Sequence, residues 1–130
     1  MVADSPLLAL GSEDFISLTT FRKTGVGVPT TVWVGRDGDA LLVTTRRKSG
    51  KVKRIRNNPE VEIRPCNRMG RLRDGAPVLT ARAEILEDSQ TAARLATVFS
   101  EKYGLKSRLG MWMERRGRNP VERVVLRLTA

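Results

Sequence analysis

The chain has no histidine, and its 130 residues include a single cysteine. The first absence removes a Ser-His-Asp triad, a histidine general base and the common zinc sites. The second removes any internal disulfide. Cys66 sits in a run of alternating apolar residues and reads as a small buried hydrophobe, not a nucleophile. Acidic residues do not cluster with metal-ligand spacing, so no metal site is expected. Long apolar runs are missing too. Pro6 to Leu10 is too short for a secretory signal or a membrane span, and no basic segment precedes it. These absences leave a soluble cytoplasmic protein as the expectation, with no membrane partner and with its chemistry drawn largely from a bound cofactor. A chain of this length suits one domain, residues 1–130, around one core.

What the chain has in excess is positive charge. The net charge is +10, from 24 Lys and Arg against 14 Asp and Glu. Seven of those basic residues fall between Arg46 and Arg56 with no acid among them, and the remaining 17 set against 14 acids leave only +3. The excess is therefore local, in the stretch TTRRKSGKVKRIRNNP from Thr44 to Pro59.

Strand patterns dominate the first two-thirds. Phe15 to Arg22 is β-branched and aromatic. Val28 to Gly35 follows, with Val28, Thr30, Val32 and Val34 on one face. Asp37-Gly38 signals a tight turn before Ala40 to Arg46, which predicts a hairpin between these two runs. Ser49 is placed to cap a short helix reaching Asn57, with Val52 and Ile55 on its inner face and Pro59 ending it. Glu60 to Cys66 alternates, with Val61 and Ile63 inward. Leu79, Ala81, Ala83 and Ile85 then share one face of a further strand. Ala92, Leu95, Ala96 and Phe99 give a helical stripe from about Ser89 to Tyr103, and Gly104 suits its C-cap. Leu105, Leu109, Trp112 and Met113 predict a second helix. A last strand, VERVVLRLT, turns Val124, Leu126 and Leu128 inward and Arg123 and Arg127 outward. The sum is a mostly β fold with some α: about six antiparallel strands forming a small barrel, a short inserted helix, and a helical pair before the last strand.

A strand running into a Ser-capped helix has an electrostatic consequence. The first helical turn leaves N–H groups unpaired at the positive end of the dipole, which attracts an anion. Thr45, Ser49, Gly50 and Lys51 supply hydroxyl donors, close backbone approach and a point charge there, and Arg46 and Arg54 are suited to bidentate phosphate contacts. Two other readings remain open at this level. One is a solvated basic helix face. The other is a nucleic-acid-binding module, disfavoured because no aromatic lies between Thr44 and Pro59 to stack a base and no nucleic-acid-binding motif occurs elsewhere.

The succession FISLTTFRKTG, VPTTVWV and LLVTTRRKSGKVKRIRNNPEVEIRPC resembles the split β-barrel flavin and deazaflavin oxidoreductases related to pyridoxamine 5'-phosphate oxidase. It is most similar to the branch using the deazaflavin coenzyme F420. The resemblance runs from about Phe15 to Leu128. Its most specific part is T-x-x-x-S-x-K followed by I-x-x-N-P-x-V, carried by Thr45, Ser49, Lys51, Ile55, Asn58, Pro59 and Val61.

The resemblance implies that Thr45, Ser49 and Lys51 hold the cofactor phosphate, assisted by Arg46 and Arg54. It implies that Thr30, Thr31, Val32 and Trp33 line the ring system, although members often carry proline where this chain has Thr31. It further implies a homodimer with two cofactor sites at the subunit interface, reached by residues of the Arg68 to Arg82 region or near Trp112. Coenzyme F420 is the first expectation and FMN the alternative. The deazaflavin bears an anionic lactyl-oligoglutamate tail, and Arg47, Lys48, Lys53 and Arg56 are charge beyond what one phosphate needs. The implied reaction is hydride transfer to a small-molecule acceptor without a protein nucleophile, with Tyr103, a carboxylic acid or solvent as proton source. A non-catalytic carrier of the same cofactor is the alternative from another class.

Overall fold

Phe15–Phe21 (β1) and Gly27–Trp33 (β2) form an antiparallel hairpin, from Phe15 opposite Trp33 to Phe21 opposite Gly27. Gly25 turns the chain between them at φ 90°, a conformation that favours glycine. The computed structural model describes residues 6–104 and 122–130. Within these the other strands are Gly35–Asp37 (β3), Ala40–Arg46 (β4), Glu60–Cys66 (β5), Leu79–Leu86 (β6) and Arg123–Thr129 (β7). Pro6–Ala9 (α1), Gly50–Asn57 (α2) and Ser89–Tyr103 (α3) are helical, and a 3-10 turn, Leu10–Ser12, follows α1.

The strands form one sheet in the order β2-β1-β5-β6-β7-β4-β3, antiparallel throughout. The first and last strands in that order are consecutive in the chain, with Val34 alone between them. The seam of the curled sheet is thus crossed by covalent backbone.

Two apolar clusters explain the sequence pattern. Ile16, Leu18, Val32, Leu41, Val43, Val61, Ile63, Ala81, Ala83, Val124, Leu126 and Leu128 fill the inside of the curl. Leu7 and Leu10 enter from the N-terminal segment, and Val52 and Ile55 from α2. On the outside α3 lays Leu95, Val98 and Phe99 over Leu42 and Val125, with Trp33, Leu86 and Tyr103 around them. β4 and β7 are covered on both faces, which is why ALLV and VVL read as continuous apolar runs instead of alternating ones. Gly35 has no room for a side chain, because an added Cβ would lie 2.6 Å from Val98 and 3.0 Å from Phe99.

The fold class is as expected, and so are the Ser49-capped α2 and the span of α3 with Gly104 at its end. One expectation needs correction. The described residues hold seven strands, in keeping with about six, but of the Val28–Gly35 run only Gly35 pairs with Ala40–Arg46, opposite Leu42. The run breaks at Val34, β2 pairs with β1, and the short β3 supplies the hairpin to β4. The cause is distant in sequence. The Val34 N–H donates to the Tyr103 hydroxyl at 3.0 Å, and the Lys102 ammonium donates to the Val34 carbonyl. Two side chains of α3 take the backbone groups that a continuous strand would pair. The predicted second helix, with Leu105, Leu109, Trp112 and Met113, lies outside the described residues.

Candidate functional site

β4 delivers Thr45 to the inner face with 4% of its surface exposed, and the chain then turns out of the sheet. The turn is closed by the Ser49 N–H donating to the Arg46 carbonyl at 3.0 Å. Ser49 then caps α2, its Oγ accepting from the Val52 N–H at 3.4 Å. The same Oγ lies 3.4 Å from Thr45 Oγ1, so the two hydroxyls are neighbours. Val52 and Ile55 hold the inner face of α2 against the core, which leaves Lys51 and Arg54 half-buried on its flank and Lys53 and Arg56 exposed.

The cations here are close enough to repel one another. Lys51 holds its proton less tightly than an ordinary lysine, first because burial penalises the ammonium and then because Arg54 and Arg123 repel it. Arg123 is the cross-strand partner of Arg46 and donates from Nε to Thr44 Oγ1 at 3.1 Å. The Arg54 Nε donates to Thr20 Oγ1 at 2.7 Å. Arg47, on the same turn, faces the other way and pairs with Glu87 at 2.9 Å and Glu122 at 3.0 Å.

The structure brings Thr45, Ser49, Gly50, Lys51 and Arg54 together, with Arg46 exposed beside Arg123. The β2 residues are placed differently. Thr30 is half-buried, and its hydroxyl donates to the Leu18 carbonyl at 3.4 Å. Thr31 is exposed beside the Cys66 thiol and under Gly70, where an added Cβ would lie 2.7 Å from Thr31 Oγ1. Val32 points into the inner core. The Trp33 ring stacks on Tyr103 at 4.8 Å between centroids, with Phe15 and Phe99 around it, which is the packing of a core tryptophan.

Cys66 is buried, and burial pushes its thiol up, away from the reactive thiolate. Burial pushes the Tyr103 phenol up to about 12. Its oxygen also lies 2.8 Å from the Asp14 carbonyl and 2.7 Å from that of Val34, so its one proton is committed to backbone. A cavity of about 150 Å³ lies under α3, lined by residues that include Leu42, Leu86, Arg94 and Arg127. None of its lining residues belongs to the expected site. Among the described residues no group of His, Cys, Asp or Glu is arranged to hold a metal, and no helix is long and apolar enough to cross a membrane.

Sequence reasoning passed over Thr20, Thr44 and Arg123. Thr20 had a signal: it follows Ile16 and Leu18 on the core-facing side of β1, and a fully buried hydroxyl requires a partner. Arg123 could be placed beside Arg46 only by knowing that β4 pairs with β7.

The family described as pyridoxamine 5'-phosphate oxidase matches residues 8–130. The chain belongs to the pyridoxamine 5'-phosphate oxidase family. None of the curated proteins matches it. Among solved structures, a conserved hypothetical protein of Mycobacterium tuberculosis aligns over 100% of this chain and 81% of its own, with 20% identity and a TM-score of 0.70. The heme storage protein of Vibrio cholerae aligns over 98% of this chain and 90% of its own, at 13% identity and a TM-score of 0.67. An F420 reductase aligns over 98% and 94%, at 20% identity and a TM-score of 0.59. Such likenesses establish a pyridoxamine 5'-phosphate oxidase fold, and what each neighbour binds is a property of that neighbour.

Proposed function

We propose that the chain is an oxidoreductase that holds a flavin-type cofactor by its phosphate at the turn from β4 into α2, coenzyme F420 before FMN, and passes a hydride between it and a small organic acceptor. The observation that carries the reading is the crowding of Lys51 by Arg54 and Arg123 beside two neighbouring hydroxyls. Cations held together at an unfavourable separation gain most from an added anion. The residues therefore fit a phosphate group. Thr45 and Ser49 would orient it through their hydroxyls, Lys51 would supply charge, and the Gly50 and Lys51 N–H groups, which precede the first intrahelical donor, the Lys53 N–H, would complete the contact. The bound cofactor supplies the hydride chemistry, while the protein positions the acceptor and keeps water out.

The preference for F420 is supported by Lys48, Lys53 and Arg56, which remain exposed near the phosphate position and suit a longer polyanion. Arg47 no longer contributes to that surplus, because two carboxylates neutralise it. The F420 reductase among the structural neighbours shares the fold and so agrees with the choice. A soluble cytoplasmic homodimer, with Thr30, Thr31, Val32 and Trp33 near the ring, is part of the proposal. A second reading keeps the cofactor without turnover. It is favoured by the Tyr103 hydroxyl, which is bound to backbone and unsuited to protonate a product.

Titration with F420, FMN and a short oligonucleotide at low and moderate salt tests these readings. Tight F420 binding with turnover of a test enone supports the reductase. Binding without turnover on a broad acceptor panel supports the carrier. Oligonucleotide binding with a steep salt slope and no cofactor binding overturns both.

A further inference from the structure

Arg54 is held in one pose at the anion site by Thr20, which lies outside the expected site, and by Gly50, which lies within it. Its Nε donates to Thr20 Oγ1 at 2.7 Å, from a threonine on β1 with no exposed surface. That bond occupies one edge of the guanidinium and leaves both Nη groups, with four N–H donors, directed elsewhere. They lie along the start of α2: a Cβ built on Gly50 would meet Arg54 Nη1 at 2.7 Å and Cζ at 3.4 Å. The missing side chain at Gly50 is the space that the guanidinium fills. Gly50 has ordinary negative backbone φ, so its role here is room and not turn geometry.

We propose that Thr20 and Gly50 are positioning residues that lock the Arg54 guanidinium beside Lys51, so that its two free η groups form a preorganised fork for a phosphate. This rests on the cofactor-phosphate reading above and adds its orienting elements. A free arginine gives up rotamer entropy when it closes on an anion, whereas one already tied at Nε has lost most of it before binding. The locked fork also keeps the guanidinium where it adds to the effect of burial in lowering the proton affinity of Lys51.

The test is a set of binding measurements with F420, FMN and inorganic pyrophosphate on the full chain. Thr20→Val removes the acceptor at nearly constant volume. Gly50→Ala pushes the guanidinium off by its Cβ and, placed in the first turn of a helix, favours helix formation, so lost binding and retained folding separate cleanly. Each variant is expected to weaken binding about 3- to 10-fold, the scale of one freed side chain, and to flatten its salt dependence. Thr20→Ser should restore both, and neither change should matter further in an Arg54→Met background.

Wild-type affinity in Thr20→Val and Gly50→Ala, alongside weakened Lys51→Ala and Arg54→Met, overturns the inference and leaves the cofactor reading standing. So do losses that simply add to that of Arg54→Met. If F420 and FMN do not bind but pyrophosphate follows the expected pattern, the cofactor reading falls and the locked fork stands. If none of the three binds, both fall. Should Thr20→Val misfold, Gly50→Ala decides.

Discussion

Lys51 and Lys102 are both half-buried, and burial is the first reason each holds its proton less tightly than an ordinary lysine. Their neighbours have opposite signs. Lys102 donates to the backbone carbonyls of Glu13 and Val34, the Asp14 and Glu13 carboxylates partly restore its proton affinity, and its ammonium lies 4.9 Å from the Tyr103 ring centre. Lys51 is pushed further down by Arg54 and Arg123. One lysine has its partners within the chain and serves the fold. The other is repelled by two cations, Arg54 and Arg123, a repulsion that the proposed phosphate would offset. The difference separates a structural cation from the proposed binding one in a protein where burial alone would rank them together.

The sharpest way to break this contrast is through the α3 region. Phe99→Ala empties the centre of the outer cluster and should cost about 3–5 kcal/mol of stability in denaturant unfolding, with the residual folded protein still binding cofactor. Lys102→Met leaves two carbonyls short of a donor and should cost about 2–3 kcal/mol without changing the cofactor dissociation constant. A variant of unchanged stability would remove the structural half of the contrast. Lys51→Ala should do the reverse: binding weakens by about 1–3 kcal/mol, read by cofactor titration, while the melting temperature holds or rises because a repelled charge is gone.

The pH dependence sharpens the same point. Lys51 has a folded-state value below the unfolded 10.5. Between the two values the unfolded chain binds more protons, so the contribution of Lys51 to stability rises with pH through that window. Anion binding falls over the same window as the ammonium is lost, and binding there draws in a proton. Calorimetry in alkaline buffers of different ionisation heat should show that uptake, and Lys51→Met should abolish it. The smallest effect is expected at Arg47, already paired with Glu87 and Glu122 on the surface: Arg47→Ala should change cofactor binding by less than about 1 kcal/mol.

Much of the fold was legible because its determinants are local. Alternation in FISLTTF and EVEI, the Ser49 cap and the Leu95–Phe99 stripe each state their element within a few residues. The break at Val34 was not legible, because the groups that cause it sit on α3, 68 and 69 residues further along. The site divides in the same way. Thr45, Ser49, Gly50 and Lys51 are neighbours in sequence and could be grouped from spacing. Thr20 lies 34 residues before Arg54, and a threonine in a strand reads first as a β-former. Trp33 was ambiguous because a strand tryptophan serves a core or a ring equally well, and only the Tyr103 stack shows the surface on which its ring rests.

The single residue between β2 and β3 also limits how the molecule can breathe. Trp33 and Gly35 stand at most roughly 7 Å apart, the reach of two residues, so the two sheet margins cannot separate at that end. Any loosening is a hinge with its pivot at Val34, and its swing grows along β2 toward Gly27.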